Sequence, residues 1–226
     1  MLKDNQSPGF LPSPNSLSVS PTIEVDKVLE YVDRHIAGFC AYYQTIKDSE
    51  RENRISDFLV RHFQLCKIEE SDGFFPYDFS KNPTQALSGK ETDIGVFALT
   101  RGARPITIIE FEAKRFSESS NNKEYVCGER GGIERFKRGH HSSHLTVCGM
   151  FGYVQSRNAS DWIAAVNKWI NELALHDTDA TIDWKGRAET LMKSHSFIKV
   201  EKLSSSNFRM LTSDAILLYH YFITLN

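Results

Sequence analysis

From Ile23 onward, apolar positions recur at spacings of three and four: Val25, Val28, Leu29, Val32, Ile36, Phe39, Cys40 and Tyr43. That spacing predicts one long amphipathic helix with a single buried stripe. After a break at Lys47 to Ser49, Ile55, Phe58, Leu59, His62 and Phe63 mark a second helix ending near Cys66. Ser49 and Glu52 stand at capping-box spacing at its start.

The period then changes. Asp72-Gly73 and Pro76 punctuate the chain, so Phe74 to Phe79 reads as a short edge strand and Ser80 to Lys90 as loop. Two strands are predicted over Thr92 to Thr100 and Ile106 to Arg115, joined through the hairpin-like segment Arg101 to Pro105. Ser117 to Gly132 is a long polar, glycine-containing stretch and a candidate functional loop, expected to form a mobile wall. A short basic helix follows from Ile133 to about His141, then a strand over Leu145 to Val154. Asn158 or Ser160 can cap the next helix, whose stripe is Trp162, Val166, Trp169, Ile170 and Leu173. Strands at Phe197 to Leu203, Phe208 to Thr212 and Ile216 to Leu225 complete the chain. This order predicts an α/β layered fold around a central mixed β-sheet flanked by helices.

Composition bounds that picture. Residues 1–21 carry four of the seven prolines and five serines with few apolar residues, and read as a disordered tail. Residues 22–226 are expected to form a single domain, large enough to need no disulfide staples. A net charge of −2 argues against a protein that coats nucleic acid, so any such contact must be local. Cys40, Cys66, Cys127 and Cys148 form no CxxC pair, and no apolar run is long enough to span a bilayer. The expectation is a cytoplasmic chain with reduced thiols and no membrane contact.

The candidate chemistry lies in the central strands. Side chains alternate along a strand, so Glu110, Glu112 and Lys114 share one face while Phe111 and Ala113 take the other. If the hairpin turns between Gly102 and Ala103, cross-strand partners have numbers summing to 205, which sets Asp93 opposite Glu112. Opposed Cβ atoms lie about 5 Å apart, within reach of one divalent ion. Facing carboxylates repel and raise one another's pKa, so their juxtaposition favours a cation. Oxygen ligands select Mg²⁺ or Mn²⁺, and with Lys114 nearby the parts suit phosphodiester hydrolysis. Glu110 is a further candidate ligand. The alternative reading of the three charged residues is a salt-bridge cluster on a solvated sheet face.

These residues resemble the PD-(D/E)XK nuclease superfamily, whose signature is an acidic residue on one strand and (D/E)xK on the next. Asp93 and Glu112-Ala113-Lys114 match it, with 18 residues between the two acids and Thr92 where the strict motif has proline. The resemblance implies a restriction-endonuclease-like core over about residues 49–154, with an N-terminal helical extension and extra C-terminal strands. It implies catalytic roles for Asp93, Glu112, Lys114 and Glu52, and a metal held by Asp93, Glu112, the Ala113 carbonyl and Glu52. The implied activity is Mg²⁺-dependent DNA hydrolysis, as an endonuclease in restriction or anti-phage defence. The alternative is a catalytically inactive nuclease-fold module that binds nucleic acid or assembles with protein.

Gly131-Gly132 ahead of the basic helix would present backbone N–H groups to a phosphate. Arg130, Arg135, Lys137 and Arg138 form the densest basic cluster and are the candidate DNA-backbone contacts. With so little net positive charge, a homodimer or a partner subunit is expected to supply much of the grip on DNA. His140, His141, His144 and Cys148 lack paired metal spacing and read as ordinary loop and strand residues.

Overall fold

The computed structural model of the chain describes residues 21–70, 75–83, 91–99, 105–128, 130–139, 142–179, 181–182, 184–185, 187 and 189–226. The expectations for the tail over residues 1–20, for Phe74, for most of the Ser80 to Lys90 loop, for the turn after Leu99 and for His140 and His141 lie outside these residues.

Helix α1 (Pro21–Ile46) begins on a proline that the composition had assigned to the tail. Proline suits the first helical turn, where its missing N–H has no intrahelical partner to lose. The whole stripe from Val25 to Tyr43 is buried, and α2 (Glu52–Glu69) likewise buries Ile55, Phe58, Leu59, His62 and Phe63. Both helices pack on one face of a seven-stranded sheet. Its strands are β1 (Tyr77–Lys81), β2 (Ile94–Ala98), β3 (Ile106–Phe116), β4 (Val147–Val154), β5 (Met192–Phe197), β6 (Val200–Arg209) and β7 (Asp214–Thr224). Their spatial order is β1-β2-β3-β4-β7-β6-β5.

β3, β4 and β7 run parallel and the other pairings are antiparallel, so the sheet is mixed. Odd-numbered residues of β3 and β4, including Phe111, Ala113, Phe151 and Tyr153, join the core under α1 and α2. Even-numbered residues, including Phe116, Met150 and Val154, join a second core on the opposite face. There α3 (Gly132–Lys137) and α4 (Ala159–His176) contribute Ile133, Phe136, Trp162, Val166 and Ile170. Asn158 caps α4, its side chain accepting a hydrogen bond from the Asp161 N–H at 2.8 Å.

The C-terminal strands differ from the pattern-based boundaries. Ile198 and Lys199 form a tight turn, Lys199 at φ 61°, inside the stretch expected to be one strand. β6 then continues for ten residues through the polar run Ser204 to Asn207. These strands extend the same sheet, with β7 hydrogen-bonded alongside β4.

Among the described residues, no helix is long and apolar enough to cross a membrane.

Candidate active site

β2 and β3 pair with Ile94 opposite Phe111, Gly95 opposite Glu110 and Val96 opposite Ile109, the register in which numbers sum to 205. A bulge between Val96 and Phe97 breaks that register only toward the turn. Asp93 stands immediately before β2, and its Oδ2 accepts a hydrogen bond from the Ala113 N–H at 2.7 Å. This contact fixes Asp93 beside Glu112 at the end of the ladder.

Glu112 and Lys114 share the β3 face turned toward α3, and Glu112 is only 2% exposed. The Lys114 ammonium lies 2.9 Å from Glu112 Oε1 and 3.7 Å from Glu52 Oε1. A second cation, Arg135 of α3, reaches the same Glu112 Oε1 with Nη1 at 2.7 Å. Glu52 arrives from the first turn of α2. It does not complete a capping box, because the helix begins after Arg51 and no side chain caps it. Instead Glu52 Oε2 accepts the backbone N–H of Arg115 at 2.9 Å, which ties α2 to the end of β3 and brings the carboxylate to Lys114. Glu110 is turned to other work: it accepts a hydrogen bond from the Ser142 hydroxyl in the buried layer below the site.

Electrostatics reflect this crowding. Burial, and next the negative charge of Glu112, push Asp93 from 3.8 up to about 7, against the opposing pull of Lys114 and the Ala113 N–H. Burial likewise raises Glu52, partly offset by Lys114. Burial alone would lower Lys114, but Glu112, Glu52 and Asp93 outweigh it and leave the ammonium more firmly protonated than a free lysine.

The donor chemistry fits a hard divalent cation in part. Asp93, Glu112 and the Ala113 carbonyl are oxygen donors at one strand end. Among the described residues, Glu112 Oε2 and Asp93 Oδ1 make no hydrogen bond. Three side-chain ligands are not assembled, since the described residues contain no group of three or more His, Cys, Asp or Glu suited to hold a metal ion. Glu52 gives one oxygen to the Arg115 N–H, as Asp93 gives one to the Ala113 N–H, and its other oxygen lies 3.7 Å from the Lys114 ammonium.

The basic cluster divides. Arg135 enters the site, and Arg130 is exposed in the turn before α3. Lys137 must be corrected: it is 1% exposed, bonded to Glu189 and to the Phe208 carbonyl, and lies 4.7 Å over the Trp184 ring. A buried, paired ammonium offers nothing to a phosphate in solvent. Arg138 is occupied by Glu134, Asp179 and Thr181. The glycine pair also has a packing cause, because a Cβ on Gly131 would lie 2.5 Å from the Cys127 carbonyl carbon. α3, at six residues, is too short for a helix-end phosphate site.

The segment after β3 is tied down rather than free. Ser117, Ser120 and Asn122 hydrogen-bond one another. A short 3₁₀ turn over Asn122–Tyr125 then buries Tyr125, whose hydroxyl pairs with His220 Nδ1 at 2.9 Å. With Arg51, Glu52, Lys114 and Arg115 this segment bounds a cavity of about 370 Å³. Arg51 and Arg115 escaped the sequence reading. Position beside Glu52 and Lys114 was the one available signal. Compared with known proteins, the chain matches no family model, no curated protein and no solved structure.

Proposed function

We propose that this chain is a Mg²⁺-dependent nuclease hydrolysing DNA phosphodiester bonds, a restriction-endonuclease-like endonuclease acting in restriction or anti-phage defence. The observation that carries the proposal is the convergence of Asp93, Glu112 and Lys114 at one end of the β2–β3 ladder, with Asp93 pushed up to about 7. Such a strained carboxylate pair is relieved by a cation. Asp93, Glu112 and the Ala113 carbonyl would hold Mg²⁺ or Mn²⁺. When bound, that ion polarises a phosphoryl oxygen and lowers the pKa of a water.

The chain's own cations do the rest. Lys114 is held charged by its carboxylate neighbours, so it serves to stabilise negative charge growing on the phosphoryl oxygens rather than to abstract a proton. Arg135 adds a second positive group on the α3 side.

One observation favours the second reading, a nuclease-fold module without catalysis: Glu112 Oε1 is already shared by two cations, so the cluster is neutralised without metal. Calorimetric titration separates the two, since a module of that kind has no saturable Mg²⁺ or Mn²⁺ site. The direct test incubates the purified chain with plasmid, linear duplex, single-stranded DNA and RNA, with Mg²⁺, Mn²⁺ or EDTA. Asp93→Asn, Glu112→Gln and Lys114→Ala should each lower the cleavage rate by about a thousandfold while the circular dichroism spectrum is unchanged. Full cleavage by a Glu112→Gln/Lys114→Ala double variant overturns the proposal.

A further inference from the structure

Lys137 and Arg138 are committed within the protein, which leaves Arg135 in the site and the exposed Arg130 from the basic cluster; further cations line the cavities on the α2 side of Lys114. The cavity of about 370 Å³ next to Lys114 and Glu52 adjoins another of about 470 Å³ that runs along the α1–α2 connection past Lys47 and Glu50. Arg51 and Arg115 line both. Arg51 is exposed, and among the described residues its guanidinium forms no ion pair. Among the described residues the Arg115 guanidinium makes one hydrogen bond, Nη1 to the Glu50 carbonyl at 3.3 Å, and no ion pair, although its charge is felt by the Glu52 carboxylate. Of the acidic residues that line the two cavities, Asp48 faces Arg54 at 2.7 Å, Glu50 faces Lys47 at 3.9 Å and Glu52 faces Lys114 at 3.7 Å, while Glu124 accepts a hydrogen bond from the Asn121 amide at 3.2 Å.

We infer that this double cavity seats a DNA phosphodiester backbone, with Arg51 and Arg115 contacting the phosphates that flank the one presented to Lys114. The inference rests on the nuclease reading of the neighbouring site. A guanidinium presents a planar fork of donors that matches two phosphate oxygens at once, which a solvated ammonium does not. The rest of the smaller cavity's lining is Ser120, Asn121, Glu124 and one aromatic ring, Tyr125, whose hydroxyl is held by His220. Among the described residues that line the two cavities no ring stands free for a base to stack on, so these contacts position the strand without reading its sequence.

The test measures binding apart from cleavage. In an Asp93→Asn background, fluorescence anisotropy of a labelled 20-base-pair duplex is recorded from 50 to 200 mM NaCl. Removing two phosphate contacts in Arg51→Ala/Arg115→Ala should flatten the slope of log K against log salt by about 1.8, with roughly tenfold weaker binding at the low-salt end. Lys168→Ala, which removes an exposed cation on α4, should leave the slope unchanged. Arg51→Lys/Arg115→Lys should retain most of it. If the double alanine variant does not fold, Arg51→Ala alone carries the test, with about half the change. An unchanged slope in a folded variant, an equal loss in Lys168→Ala, or no duplex binding by the parent overturns the inference. Absence of cleavage by the unmodified chain alongside the expected slope change overturns only the nuclease reading, whereas cleavage with an unchanged slope overturns only the cleft.

Discussion

Arg135 Nη1 lies 2.7 Å from Glu112 Oε1, a contact between a guanidinium on α3 and a carboxylate that is 2% exposed in the middle of the sheet. A charge buried so deeply is costly unless paired, and Lys114 alone pairs it from one side. Arg135→Ala is therefore expected to lower stability by about 1–3 kcal/mol in urea denaturation at pH 7. Arg135→Lys, which keeps the charge and loses the fork, should fall between. A loss below about 0.5 kcal/mol would mean that solvent screens the pair and that it does not lock α3 to β3.

Asp93 gives the chain a pH dependence of definite sign. Its folded-state pKa is raised from 3.8 to about 7, so between those values the folded protein binds a proton that the unfolded chain releases. Stability contributed by Asp93 is complete below about 4 and falls as pH climbs through about 7. Asp93→Asn, whose amide oxygen can still accept the Ala113 N–H, should flatten that window and add about 1–3 kcal/mol at pH 8. Urea melts at pH 5, 6, 7 and 8 check it, and parallel curves for parent and variant would refute it. On the proposed function the same proton leaves on metal binding, so the apparent Mg²⁺ affinity should rise with pH up to about 7.

Gly131 tests whether the glycine pair serves packing. A Cβ there would meet the backbone of Cys127 at 2.5 Å, and backbone cannot swing aside as a side-chain tip can. Gly131→Ala should cost about 1–3 kcal/mol and displace α3, and with it Arg135, from β3. Thermal melts report the first effect. Loss of additivity between Gly131→Ala and Arg135→Ala reports the second.

Much of this arrangement was legible before the fold was known. The stripes of α1, α2 and α4 follow from spacing alone, because one helical face must be apolar to bury it. The two-residue period of a strand set Glu112 and Lys114 on one face, but the pairing of Asp93 with Glu112 owes its register to the bulge: beyond it, toward the turn, partner numbers sum to 204, and the shift between Val96 and Phe97 brings them to 205. The β5–β6 boundary was not legible. A turn at Ile198 and Lys199 interrupts an apolar run, while β6 passes through serines whose partners come from β7. Local composition says nothing of those partners.

By itself, then, the sequence determined which residues line which face of which element, since side-chain periodicity is a local property of backbone geometry. Tertiary structure alone decided how each charge is used. Lys137 and Arg135 are two residues apart on one short helix, yet one is buried against Glu189 and Trp184 and the other reaches Glu112. Glu52 bonds the Arg115 N–H, 63 positions away, rather than its own helix end. A charged side chain takes its role from whichever opposite charge, donor or ring the packed chain sets within a few ångströms, and for Glu52, Arg135 and Lys137 those partners lie tens of residues away in sequence.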